Sequence, residues 1–90
     1  MNKVINMIHI RVYAMLIDIV GSRSIEIEGG GKTVRELIEL LDSRYPGFKK
    51  ELEKGFLILL NGINILHLKG LDTEIKDGDT IVIFPPVGGG

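Results

Sequence analysis

One apolar stripe at helical spacing limits the folds open to this chain. Val34, Leu37, Ile38, Leu41 and Tyr45 recur at three- and four-residue intervals and mark one face of a helix. Thr33 followed by Glu36 forms a T-x-x-E capping box at its start, and Pro46-Gly47 closes it. On both sides of this helix the periodicity changes to two. A lone main helix among strands buries its stripe against a sheet.

The strands are read from that alternation. In residues 7–14, Ile8, Ile10, Val12 and Ala14 fall on one side, and His9, Arg11 and Tyr13 on the other. Residues 15–22 read as a connection ending at Gly21-Ser22. Residues 24–28 alternate again with Ile25 and Ile27 inward, until Gly29-Gly30-Gly31 breaks the run. Residues 48–53 have room for a short helical turn or two. Residues 56–60 are a continuous apolar run. Asn61-Gly62 is a strong hairpin signal, and residues 63–68 are a weaker strand. Residues 71–76 read as a connector and Asp77-Gly78-Asp79 as a turn. Residues 80–84 are a β-branched final strand, halted by Pro85-Pro86, because proline lacks the ladder donor. The order β-β-α-β-β-β predicts an α+β fold, a mixed sheet of about five strands with one main helix across it. It suits the β-grasp architecture, although periodicity alone does not separate that from other small α+β domains.

Composition excludes several function classes. Ninety residues make one domain. Such a chain buries roughly 60–65% of its unfolded surface, enough for one modest core. The hydrophobic share of 44% excludes a disordered chain. Eleven basic and twelve acidic residues give a net charge of −1, which argues against a nucleic-acid partner. The absence of cysteine removes disulfides and thiolate metal sites. No apolar run reaches the ~18 residues of a membrane span. A soluble cytoplasmic protein with no membrane partner is expected.

The C-terminal stretch is chemically distinct. Phe84 to Gly90 carries no charged side chain, and Gly88, Gly89 and Gly90 carry no side chain at all. The expected division is a folded domain over residues 1–84, with 1–6 an extension, and a mobile tail over 85–90. Pro85 and Pro86 hold the tail's first part extended. Six residues beyond Phe84 reach ~20 Å if extended. Two readings stay open on the glycines alone. One is a frayed terminus. The other is a strip that threads a narrow tunnel and delivers the carboxylate of Gly90. That carboxylate has a pKa of roughly 3.5 and is unreactive when ionised. It needs activation by a nucleotide before another group can replace an oxygen.

Phe84-Pro85-Pro86-Val87-Gly88-Gly89-Gly90, preceded by Leu71-Asp72-Thr73 and Lys76-Asp77-Gly78-Asp79, resembles the MoaD/ThiS family of ubiquitin-like sulfur carriers. Asn61-Gly62-Ile63-Asn64-Ile65 and Val12-Tyr13-Ala14-Met15-Leu16 are similar to its archaeal MoaD-like branch. The likeness spans residues 7–90, and the last fifteen are its most specific part. The resemblance implies a β-grasp fold with a C-terminal diglycine. It implies that an E1-like enzyme adenylates Gly90 with ATP and that sulfur then replaces AMP, giving a thiocarboxylate. It implies a small subunit of molybdopterin synthase, donating sulfur to the pterin precursor of the molybdenum or tungsten cofactor. The large subunit would hold the catalytic side chains. A sulfurtransferase is a further partner on this view, and no cofactor or metal is expected on the chain itself. Within the same resemblance, Val87, Gly88 and Gly89 thread the partner's tunnel, and Tyr13, Phe84, Pro85 and Pro86 dock on it. Two alternatives share the adenylate: a protein modifier joined through Gly90 to target lysines, and a sulfur donor for tRNA or thiamine. Phe84-Pro85-Pro86-Val87 favours the MoaD-like form over a thiamine carrier. One departure is Ile17, where relatives often carry a basic residue, in what reads as a loop.

Other signals carry less. Gly31-Lys32-Thr33 resembles the end of a P-loop, but Glu26 stands where its first glycine belongs. His9 and His67 have no carboxylate at regular ligand spacing. Lys49-Lys50-Glu51 mixes signs and reads as a solvated face.

Overall fold

The computed structural model describes residues 7–86; the expected extension over 1–6 and tail residues 87–90 lie outside the described residues. Its elements, in order, are β1 (Met7–Val12), α1 (Met15–Val20), β2 (Ser24–Glu28), β3 (Lys32–Thr33), α2 (Val34–Arg44), α3 (Phe48–Leu52), β4 (Leu57–Leu60), β5 (Ile63–Asn64), β6 (Glu74–Ile75) and β7 (Thr80–Phe84). The five expected strands form one mixed sheet in the order β2-β1-β7-β4-β5. β1 and β7 run parallel, with Ile10 opposite Ile81 and Val12 opposite Ile83. Every other pair in that sheet is antiparallel.

The helical stripe does what its spacing predicts. Val34, Leu37, Ile38 and Leu41 of α2 are buried against the sheet's inner face. Ile8, Ile10, Val12, Ile81 and Ile83 supply that face and are at most 1% exposed. Each such burial contributes roughly 1.5–3 kcal/mol before the entropy of ordering is counted. The capping box is complete: Glu36 N donates to Thr33 Oγ1 at 3.2 Å, and Thr33 N donates to Glu36 Oε1 at 2.9 Å.

The turns are fastened by polar side chains. Asn61 and Gly62 both have positive φ, 50° and 86°, as a two-residue hairpin loop needs. Asn61 Oδ1 accepts from Thr80 N at 2.9 Å, which ties this hairpin to β7. Asp79 accepts from Asn61 Nδ2 at 3.0 Å and from Lys76 N at 2.8 Å. Gly30 N donates to Asp77 Oδ1 at 2.7 Å, and a Cβ on Gly30 would meet Asp77 at 2.4 Å. Glycine is required there by the close approach.

The structure corrects the sequence reading at several points. Ala14 does not continue the inward face; the strand stops at Val12, Ala14 is exposed, and Leu16 fills the next core place. Residues 15–20 are helix α1, whose single turn and a half is too short to show a period. Residues 63–68 are strand only at Ile63–Asn64, then a 3-10 turn over Ile65–His67. The connector holds another 3-10 turn, Gly70–Asp72, and strand β6, which pairs with β3. Thr73, buried at 6% exposure, accepts from Lys69 N through Oγ1. Its carbonyl accepts from Val34 N at 3.0 Å, so the connector is pinned to the start of α2. Among the described residues, no helix is long and apolar enough to cross a membrane.

Two substitutions test this account by urea denaturation. Thr33→Ala is expected to cost ~1 kcal/mol through the lost cap. Phe48→Ala, at a fully buried position of α3, is expected to cost ~3–5 kcal/mol.

Candidate partner interface

Two of the four sequence-predicted docking residues, Tyr13 and Phe84, meet on the face of the sheet away from α2. Tyr13 follows β1, and Phe84 ends β7. Their rings stack with centroids 4.7 Å apart and planes 24° from parallel. The backbone holds Tyr13 in place. Leu16 N donates to Tyr13 O at 3.2 Å, and Ala14 has φ 57° and ψ −137°. These values define a tight turn of type II′, which turns the chain from β1 into α1.

Register adds residues that the sequence did not single out. Leu57 lies opposite Phe84, and Leu59 opposite Val82. Arg11 lies opposite Val82 on the other side of β7. Leu57, Leu59, Val82, Phe84 and Tyr13 are all half-buried, neither core nor free surface. A signal for them was present. A continuous apolar run such as 56–60 puts side chains on both faces of a strand, and α2 covers only one. His9, whose Nδ1 lies 3.1 Å from Glu26 Oε2, sits with Arg11 on the polar side of this surface.

The root of the tail is set by the turn before β4. Pro85 is half-buried and Pro86 exposed. A Cβ on Gly55 would lie 3.8 Å from Pro86 Cγ, so Pro86 passes beside this turn. Gly55 has φ 106°, which an L side chain rarely adopts. Val87, Gly88, Gly89 and Gly90, expected to thread and react, lie outside the described residues.

The remaining signals resolve into structure. Lys32 Nζ donates to Gly29 O at 2.6 Å and Thr33 caps α2, so the Gly31-Lys32-Thr33 triplet serves a strand-to-helix turn. Ile17 sits in α1 rather than a loop, half-buried against the core. His67 is exposed at the end of a 3-10 turn. Among the described residues, no group of three or more His, Asp or Glu is placed to hold a metal.

Comparison with known proteins places the chain. The family model described as the ThiS family matches residues 10–90. Small archaeal modifier protein 3 of Haloferax volcanii is 33% identical over 90 residues, covering 92% of this chain and 98% of that protein. The molybdopterin synthase sulfur carrier subunit of Haemophilus influenzae is 32% identical over 84 residues, covering 93% and 100%. The solution structure of small archaeal modifier protein 1 from Methanosarcina acetivorans superposes with a TM-score of 0.79 at 34% identity. It covers 93% of this chain and 96% of that one.

Two measurements test the interface geometry. A double-mutant cycle on Tyr13→Ala and Phe84→Ala is expected to give a coupling of ~1 kcal/mol in chemical denaturation, the worth of a stacked pair. Ala14→Gly is expected to raise stability by ~1 kcal/mol, since the first central position of this turn favours glycine.

Proposed function

The chain belongs to the ThiS family of ubiquitin-like sulfur carriers, and we propose that its C-terminal glycine carries sulfur as a thiocarboxylate. The observation that carries this reading is the half-buried apolar face at the root of the tail. Tyr13, Phe84, Leu57, Leu59 and Val82 form a surface that a partner enzyme can cover while the tail enters it. The chemistry needs no side chain of the tail. A carboxylate oxygen of Gly90 attacks the α-phosphate of ATP on an E1-like partner, and pyrophosphate leaves. Sulfide-level sulfur then adds to the carbonyl carbon, and AMP leaves. The thiocarboxylate sulfur bonds to a carbon of the acceptor and displaces a leaving group there, and water then hydrolyses the acyl–sulfur bond, which leaves sulfur on the acceptor and restores the carboxylate. The acceptor we propose is the pterin precursor held by the large subunit of molybdopterin synthase, in line with the Haemophilus influenzae relative. On this reading Val87, Gly88 and Gly89 thread the tunnel, and the two glycines bring no Cβ atom into it.

A second reading is favoured by the likeness to small archaeal modifier protein 3. There a lysine amine of a target protein attacks the same adenylate, AMP leaves, and an isopeptide bond joins Gly90 to the target. The two readings part only at the nucleophile.

Intact-mass measurement after incubation with an E1-like enzyme, ATP and sulfide tests the proposal. The expected gain is that of one oxygen replaced by one sulfur. An unchanged mass with an activator that charges another carrier overturns it. Lysine-linked Gly90 in extracts, without any effect on pterin sulfuration, decides for the modifier. Deleting Gly90 is expected to abolish either product with the unfolding midpoint unchanged. Phe84→Ala is expected to raise KM for activation about tenfold, with kcat nearly unchanged, because it removes docking and leaves the reacting group intact.

A further inference from the structure

The outer face of the main sheet is graded in charge along β1. On β2 the outward positions are Glu28, Glu26 and Ser24, which stand opposite Met7, His9 and Arg11 of β1. The outward positions of β7 and β4, from Thr80 to Phe84 and at Leu57 and Leu59, carry no charge. Arg11 is therefore the one arginine or lysine among these outward positions. The two glutamates lie toward one end of the face, and the Tyr13–Phe84 stack lies at the other. Glu28, opposite Met7, is roughly 13 Å along the strand from the level of Arg11.

Arg11 sits two residues before Tyr13, with Ser24 on one side and Val82 on the other. It is exposed, and among the described residues it forms no ion pair. The nearest acidic position on the face is Glu26, a diagonal neighbour across the strands. The Glu26 carboxylate turns instead to His9, with Oε2 at 3.1 Å from Nδ1. Ser24 and Val82 bring no charge of their own. In the free chain, water solvates the guanidinium.

A partner changes that balance. An enzyme surface that covers Tyr13, Phe84 and Val82 also reaches Arg11 beside them. A guanidinium that loses its water there without gaining an anion opposes binding. A carboxylate set against it accepts two parallel hydrogen bonds in the fork geometry that arginine offers. The reacting phosphate does not serve as this anion. It must lie at Gly90, the far end of the tail, whereas Arg11 lies beside the tail's root. The matching anion is thus a side chain of the enzyme.

We propose that Arg11 selects the activating partner, whose docking surface carries an aspartate or glutamate that pairs with it. This rests on the reading that an E1-like enzyme docks on the Tyr13–Phe84 face. It adds the charge of the contact and the direction of docking. The acidic side chain meets the Tyr13 end of β1, because Glu26 and Glu28 repel it from the other end.

The test is ATP–pyrophosphate exchange with the full chain and an E1-like enzyme that charges another carrier. Arg11→Glu is expected to raise KM for the carrier about tenfold or more, with kcat nearly unchanged. Arg11→Gln is expected to raise it several-fold and to flatten the rise of KM with salt that the wild-type chain shows. Glu28→Gln, at the far end of the face, is expected to leave KM unchanged. Arg11 is exposed, so both variants are expected to keep the wild-type amide spectrum; Arg11→Gln decides if Arg11→Glu disturbs the sheet. A KM for Arg11→Gln within twofold of wild type, or an unaltered salt dependence, overturns the proposal. So does a fall in KM for Glu28→Gln as large as the rise for Arg11→Gln, since net charge and not a contact is then being read. If Phe84→Ala raises KM and the Arg11 variants do not, docking on this face stands and the Arg11 pairing alone fails. If the wild-type chain is not adenylated, the sulfur-carrier reading fails and this proposal falls with it.

Discussion

The parallel pairing of β1 with β7 is the constraint on which the rest of the molecule depends. It brings Ile8, Ile10 and Val12 beside Ile81 and Ile83, and these five side chains are almost entirely removed from water. α2 closes over them from one side. Parallel strands are stable when both faces are covered. Here the second face carries His9 and Arg11 of β1 beside Val82 and Phe84 of β7, with Leu57 and Leu59 of β4 next to them. The pairing that builds the core thus also leaves an apolar surface beside the point where the tail departs. Core and interface are two faces of the same strands.

Around this pair, local polar contacts do the work of a larger core. Asp77 holds Gly30, Asn61 and Asp79 hold the start of β7, and Thr73 holds the start of α2. Each joins segments distant in sequence through one or two hydrogen bonds. A small domain has too little apolar surface to fix every loop by burial alone.

Legibility in the sequence followed the length of each pattern. The stripe of α2, the alternation of β1 and β2 and the Asn61-Gly62 turn were readable because each repeats a period or carries a specific turn chemistry. All five main-sheet strands were therefore placed. α1, β3 and β6 were missed because six or two residues are too few to display a period, and their stability comes from neighbours. Ala14 was misassigned because alternation continues in the sequence one step past the point where the backbone turns. At the candidate interface, Tyr13 and Phe84 were singled out through the family resemblance, Tyr13 also by its place opposite the core pattern. Leu57, Leu59 and Val82 were not, because only register says which face of a doubly apolar strand looks outward.

β7 occupies the middle of the sheet yet comes last among the strands in sequence. Half of the Tyr13–Phe84 stack therefore waits for the other half until the entire sheet has been threaded together. Long-range closure of this kind is the slow part of folding. A partly unfolded chain carries the tail sequence without the surface that accompanies it. Any enzyme that reads both has, in effect, a built-in inspection of completeness: it can charge the terminus only of a molecule whose first and last strands have already met.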